Sequence, residues 1–247
     1  RRRLVAETFM QNQFSVFIDD LKATHGSNLA SVILYGSAAA GDFIPARSDY
    51  NILIALHEIT PKDLRKAHAC VREWHKLGHP VPVYFTVSEL KNAADVFPIE
   101  FHQMEVAHKV LYGTDVLAGL AIRDDFLRHQ IEYELRSKLL LLRRQYIPAS
   151  ASPEGLKRLM GESLTSFSAL FRAILLMLGE SPPNKKRGIV DRAVARLGLD
   201  AEVFELLFRI RENDRTLEMD EKGADELFGR YLLQVEKTIT SIDSIGK

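Results

Sequence analysis

The hydrophobic period of this chain changes once, near residue 120. Before that point, segments with an apolar residue every three or four positions alternate with short runs rich in β-branched and aromatic residues. After it, only the helical period occurs. A chain divided in this way is expected to form a sheet-containing α/β (α+β) domain over residues 1–120 and an all-α helical bundle over 121–247. At 247 residues, each part is long enough to bury a core of its own.

The first part opens with a helix expected over Glu7–Thr24, where Met10, Phe14, Phe17, Ile18 and Leu21 share a face and Gly26 stops the run. Strands are expected at Ala30–Tyr35 and Tyr50–Leu56, separated by the small-residue turn Gly36–Gly41. Thr60, Pro61 and Asp63 read as N-cap, first helical position and first-turn acid of one helix. Its buried stripe is expected at Leu64, Ala67, Val71 and Trp74, with Gly78 at its end. Val81–Thr86 reads as a strand with Pro82 near its start, which places it at a sheet edge. A short helix near Phe101–Ala107 and a strand at Lys109–Tyr112 complete the domain.

In the second part, helices are expected near Asp124–Tyr146, from Pro153 to about Leu178, near Lys186–Leu197 and Ala201–Asn213, and near Ala224–Ile242. Ser152 and Pro153 mark the start of the second of these. Its apolar residues cover so wide an arc that it reads as the central helix of the bundle.

Composition narrows the function. Lys and Arg number 33, as do Asp and Glu, so the formal charge is zero and a generic nucleic-acid binder is not indicated. An acidic polymer, if bound, is expected at the basic cluster Lys185-Lys186-Arg187. The single cysteine, Cys70, has no internal disulfide partner and fits a reducing compartment. Uninterrupted apolar runs such as Ser31–Tyr35 fall short of the roughly 18 residues of a membrane span. Arg1-Arg2-Arg3 is not followed by an export-type apolar segment. The expectation is a soluble, cytoplasmic chain that does not engage a membrane.

One segment carries chemistry. A strand ends at Gly36-Ser37, where the backbone can approach a ligand closely because glycine has no Cβ, and where N–H groups and a hydroxyl can hold phosphate oxygens. The next strand opens with Asp49 and Asn51. Residues two apart on a strand face the same way, so their oxygens can meet one hard cation beside that phosphate site.

The pattern hydrophobic-Gly-Ser, a gap of about ten residues, then Asp-x-Asn at the next strand resembles the signature of the DNA polymerase β-like nucleotidyltransferase superfamily over Leu34–Ile54. The overall shape resembles its two-domain branch with a helical C-terminal domain, to which kanamycin nucleotidyltransferase and the minimal nucleotidyltransferases belong. The resemblance implies a mixed sheet in the first domain. It implies transfer of a nucleoside monophosphate from an NTP to a hydroxyl acceptor, with Mg²⁺ held by carboxylates. Carried onto this sequence, it assigns Asp49 and Asn51 as catalytic and metal-binding positions, and Gly36, Ser37 and Ser48 to the NTP. The expected partners are therefore an NTP and an unidentified acceptor, with a homodimer possible.

The sequence departs from the family pattern in three places. Asn51 stands where a second carboxylate is usual, Ala40 where many relatives have Arg, and Val81–Thr86 contains no third acid. One unit-charge pair at 4 Å is worth roughly 4 kcal/mol gross at an effective dielectric near 20, so each lost carboxylate weakens a divalent-ion site severely. Glu100, Asp42 and Glu105 are the nearby acids that can substitute. Two readings follow: a Mg²⁺-dependent nucleotidyltransferase with impaired activity, or a catalytically inactive member that binds a ligand or protein. The glycine spacing Gly36–Gly41 does not make a P-loop, because Asp42 follows where Lys is required. His75 and His79 are four apart, but Gly78 and Pro80 break the helix a zinc pair would need.

Overall fold

The computed structural model describes residues 2–41, 49–92, 94, 96–214 and 216–245, with the backbone alone for 2–12. It divides into two compact units, Arg1–Ile122 and Arg123–Lys247.

In the first unit, helix α1 spans Arg2–His25 and buries Phe17 and Leu21. It starts earlier than the sequence suggests, and the side chain expected of Met10 lies outside the described residues. Strand β1 (Leu29–Tyr35) is followed by a single 3-10 turn, Gly36–Ala38, and then by β2 (Asn51–Leu56). Strands β3 (Val83–Thr86) and β4 (His108–Gly113) complete a four-stranded sheet of order β3-β2-β1-β4. Both pairings of β1 are antiparallel and β2–β3 is parallel, so the sheet is mixed.

The two central strands do not alternate between apolar and polar because both faces of the sheet are covered. Val32, Leu34, Ile52 and Ile54 meet Phe17, Leu21 and Trp74 on one face. Ile33, Leu53 and Ala55 meet Leu90, Phe101 and Met104 on the other. A fully buried side chain of this size contributes about 1.5–3 kcal/mol. Gly113 admits the close passage of β4 beside β1: an added Cβ there would lie 2.0 Å from the Ala30 carbonyl oxygen.

Thr60 caps its helix as expected, in a reciprocal capping box with Asp63. The single helix expected after it is instead two, α2 (Pro61–Lys66) and α3 (His68–Lys76). Past the break, Ala67, Val71 and Trp74 of the expected stripe face the core. Cys70 and Trp74 enter the core, while Leu64 is left 46% exposed. A further helix, α4 (Val87–Asn92), follows β3 directly. The signal for it is Thr86-x-x-Glu89: the Thr86 hydroxyl accepts from the Glu89 N–H, and the Glu89 carboxylate accepts from the Thr86 N–H. Helix α5 (Pro98–Val106) precedes β4.

The second unit contains α6 (Leu127–Ala149), α7 (Pro153–Met177), α8 (Lys186–Leu197), α9 (Ala201–Arg211) and α10 (Glu221–Ser244). Ser152 caps α7 by accepting from the Gly155 N–H. All four other helices pack on α7. By length and mean hydropathy α7 qualifies as a candidate membrane span, but 61% of its apolar window is covered by the surrounding fold, as suits the core helix of a bundle. Tyr231 of α10 is fully buried against it, with its hydroxyl 3.0 Å from Ser163 Oγ. Buried Arg172 on α7 donates to the Pro183 carbonyl at 2.6 Å and tethers the chain leading into α8.

Candidate functional site

The site suggested by the sequence lies where β1 ends and β2 begins. Antiparallel register sets Tyr35 directly opposite Asn51, so both side chains leave the same face of the sheet. That is the face of Ile33 and Leu53, against which Tyr35 also packs. Beyond Tyr35 the chain turns at Gly36, whose φ of +78° lies in the region that favours glycine. An added Cβ there would sit 3.2 Å from Asn51 Nδ2. The structure thus brings Gly36 and Asn51 together. Ser37 is in the same turn, which closes through the Ala40 N–H donating to the Gly36 carbonyl at 3.0 Å. The first N–H groups of such a turn have no carbonyl within it to bond.

Asp49 lies two residues before β2 and is exposed. Between it and the strand, Tyr50 is buried on the opposite face, edge-on to Phe14 at 5.0 Å and to His79 at 4.8 Å. The His79 ring also lies 4.4 Å from that of Trp74. Burial lowers the His79 pKa, and the charge of Asp49 partly opposes that shift. On the other face, burial raises the Tyr35 phenol, and the Glu100 carboxylate raises it further. Tyr35 joins the surroundings of this site through strand register, and His79 through its packing on Tyr50 and Trp74, neither of which a local spacing in the sequence announces.

The remaining expected positions are less informative. Ser48 and Asp42 lie outside the described residues. Among the described residues, no group of three or more His, Cys, Asp and Glu side chains is placed to share a metal ion. Asp49 supplies a carboxylate and Asn51 only an amide oxygen. Among the described residues, this donor set brings less negative charge than a pair of divalent ions calls for.

The secondary candidates fare as follows. His75 Nδ1 is 2.8 Å from the His79 carbonyl oxygen. In the basic cluster, Arg187 at the start of α8 is engaged by Glu205 and Glu212 and lies over the Phe208 ring at 4.9 Å. Cys70 is buried and donates to the Ala67 carbonyl.

No protein-family model matches the chain, and neither does any curated protein. Among solved structures the fold is similar to spectinomycin adenyltransferase AAD(9) from Enterococcus faecialis, a crystal structure with ATP and spectinomycin. The two are 13% identical with a TM-score of 0.47, over 87% of this chain and 98% of that one. A likeness of that degree leaves the site to be argued from its own residues. The architecture itself, a mixed four-stranded sheet with helices on both faces followed by an all-helical unit, is the fold class read from the sequence.

Proposed function

We propose that the chain is a nucleotidyltransferase-like protein that binds a nucleoside triphosphate through the Gly36-Ser37 turn, with Asp49 and Asn51 at the mouth of the same site. The observation that carries this reading is the juxtaposition of Gly36 with Asn51 at the paired ends of β1 and β2. It leaves a turn without a Cβ beside a strand entry bearing an acid and an amide. In the reaction such a site serves, an acceptor hydroxyl oxygen bonds to the α-phosphorus. The bond from that phosphorus to the bridging oxygen breaks, the hydroxyl proton passes to a base, and pyrophosphate leaves. Gly36 and Ser37 would hold phosphate oxygens, and Asp49 would be the carboxylate nearest the reacting group.

The donor set favours a second reading alongside the first, in which the pocket binds a nucleotide without turning it over. Asn51 supplies no charge, and no third acid joins Asp49 in a metal-sized group among the described residues. Calorimetric titration of ATP, GTP, CTP and UTP, with and without Mg²⁺, separates the two. Metal-dependent binding that disappears in Asp49→Ala, together with pyrophosphate release, supports transfer. Binding without pyrophosphate release, or binding gained only in Asn51→Asp, supports the non-catalytic reading. Absence of nucleotide binding in both wild type and Asn51→Asp overturns both.

A further inference from the structure

Helix α6 has two apolar faces. One is buried in the bundle and carries Leu127, Ile131, Leu135, Leu139 and Leu142. The other is exposed. Phe126, at the N-cap, is 62% exposed, Tyr133 71%, Leu140 63% and Ile147 74%. Isolated exposed apolar residues are ordinary on protein surfaces. Four large ones at a constant spacing of seven on one helix are not isolated: they form a single seam. Seven residues fall about 20° short of two full turns, so the seam winds slowly around α6 with a left-handed drift. A second helix crossing at roughly 20° follows such a seam along its length.

We infer that this seam is an interface between two copies of the chain, with the two α6 helices antiparallel about a twofold axis. Charge selects the arrangement. A parallel pairing would stack Arg136, Arg143 and Arg144 on their own copies. An antiparallel pairing with Leu140 on the axis would set Arg136 against Arg144. Placing the axis between Tyr133 and Leu140 avoids both. Phe126 then faces Ile147, Tyr133 faces Leu140, Gln130 faces Arg143 and Arg136 faces Ser137. The seam's arginines are already partly offset within each copy, since Arg136 pairs with Glu132 at 2.9 Å and Arg143 with Glu236 at 2.7 Å.

Area sets the size class. Four side chains exposing on the order of 100 Å² each, with the stems of the flanking residues, bring the total for two copies to about 1,000 Å², the lower bound of a specific interface. An interface of that size suits a reversible dimer, and the concentrations that test it span the micromolar range. The inference uses only residues 126–147 and is independent of any nucleotide.

Sedimentation velocity on the full chain from roughly 5 to 200 µM tests it. The expected result is a concentration-dependent shift from monomer to twice the mass. Tyr133→Glu and Leu140→Lys change exposed positions, so each variant should keep its helical circular dichroism while weakening association roughly a hundredfold or more. Mixing the two variants should restore the dimer, because the new carboxylate of one chain faces the new ammonium of its partner in this register and in neither homodimer. A wild type that stays monomeric across the range overturns the inference. So does a dimer that survives either single change, or a mixture that fails to associate.

Discussion

Gly36 and Asn51 meet across the paired ends of the first two strands, where a Cβ on Gly36 would lie 3.2 Å from Asn51 Nδ2. Glycine meets two demands at that point. It takes up a φ of +78°, and it leaves room for the amide beside it. Gly36→Ala should cost about 1–2 kcal/mol from the left-handed backbone alone, with a further contribution from displacing Asn51. Urea unfolding of Gly36→Ala, Asn51→Ala and the double variant checks this. The double variant should be less destabilised than the sum of the singles, because removing the amide removes the second contribution.

Buried His25 makes stability fall toward acid pH. Among the described residues neither of its nitrogens has a hydrogen-bond partner, and burial lowers its pKa, opposed in part by Asp63 and reinforced by Lys66. Above the ordinary value of 6.5 the ring is neutral in both folded and unfolded chains. As pH falls below 6.5, the unfolded chain takes up a proton that the folded one refuses, so stability falls toward the lowered folded value. His79 acts in the same direction. At His108, burial is the largest single influence and lowers the pKa, but the hydrogen bonds to Asp115 and the Met104 carbonyl together with the Asp115 charge outweigh it, and the pKa rises. Its contribution is complete below 6.5 and lost as pH rises through the raised value. His25→Phe keeps a ring against Tyr84 and removes the titration. Its urea midpoint should drop less between pH 7 and pH 5 than that of wild type.

Cys70 should be inert in the native state. Burial raises its thiol pKa, and its Sγ lies 3.2 Å from the Ala67 carbonyl oxygen to which it donates. Reaction with a disulfide reagent near neutral pH should be slow in native buffer and should accelerate with urea along the unfolding curve. Fast labelling without denaturant would contradict this placement.

The capping box at Thr86 and Glu89 holds the start of α4, which covers the face of the sheet that bears Tyr35 and Asn51. Thr86→Ala should cost about 1 kcal/mol, within the usual range for loss of an N-cap. Chemical denaturation gives the cost. Hydrogen exchange should show faster opening of α4 amides than of those in β1.

Much of the fold was legible because its signals are local. The Thr60 box, the Ser152 cap and the apolar runs of β1 and β2 each depend on a handful of neighbouring residues, and they appear where the sequence places them. The box at Thr86 is equally local. The break between α2 and α3 was not legible. Leu64 and Trp74 fit one helical stripe in the sequence, and only the fold shows that the helix breaks at Ala67 and leaves Leu64 exposed while Ala67 and Trp74 are buried. At the candidate site, Gly36, Ser37, Asp49 and Asn51 were marked by residue type and spacing. His79 and Glu100 come to its surroundings from other elements.

The sequence by itself determined where the helical and strand periods change, which residues start and stop most elements, and that a glycine turn precedes an acid-poor strand entry. Those properties are fixed within one or two turns of chain by backbone sterics and side-chain capping. The tertiary structure decided the register that sets Tyr35 against Asn51, the covering of both sheet faces, and which side of α6 is left to solvent. Such outcomes depend on contacts between segments far apart in the chain, where burial and hydrogen bonding are settled by what lies opposite rather than by what lies next.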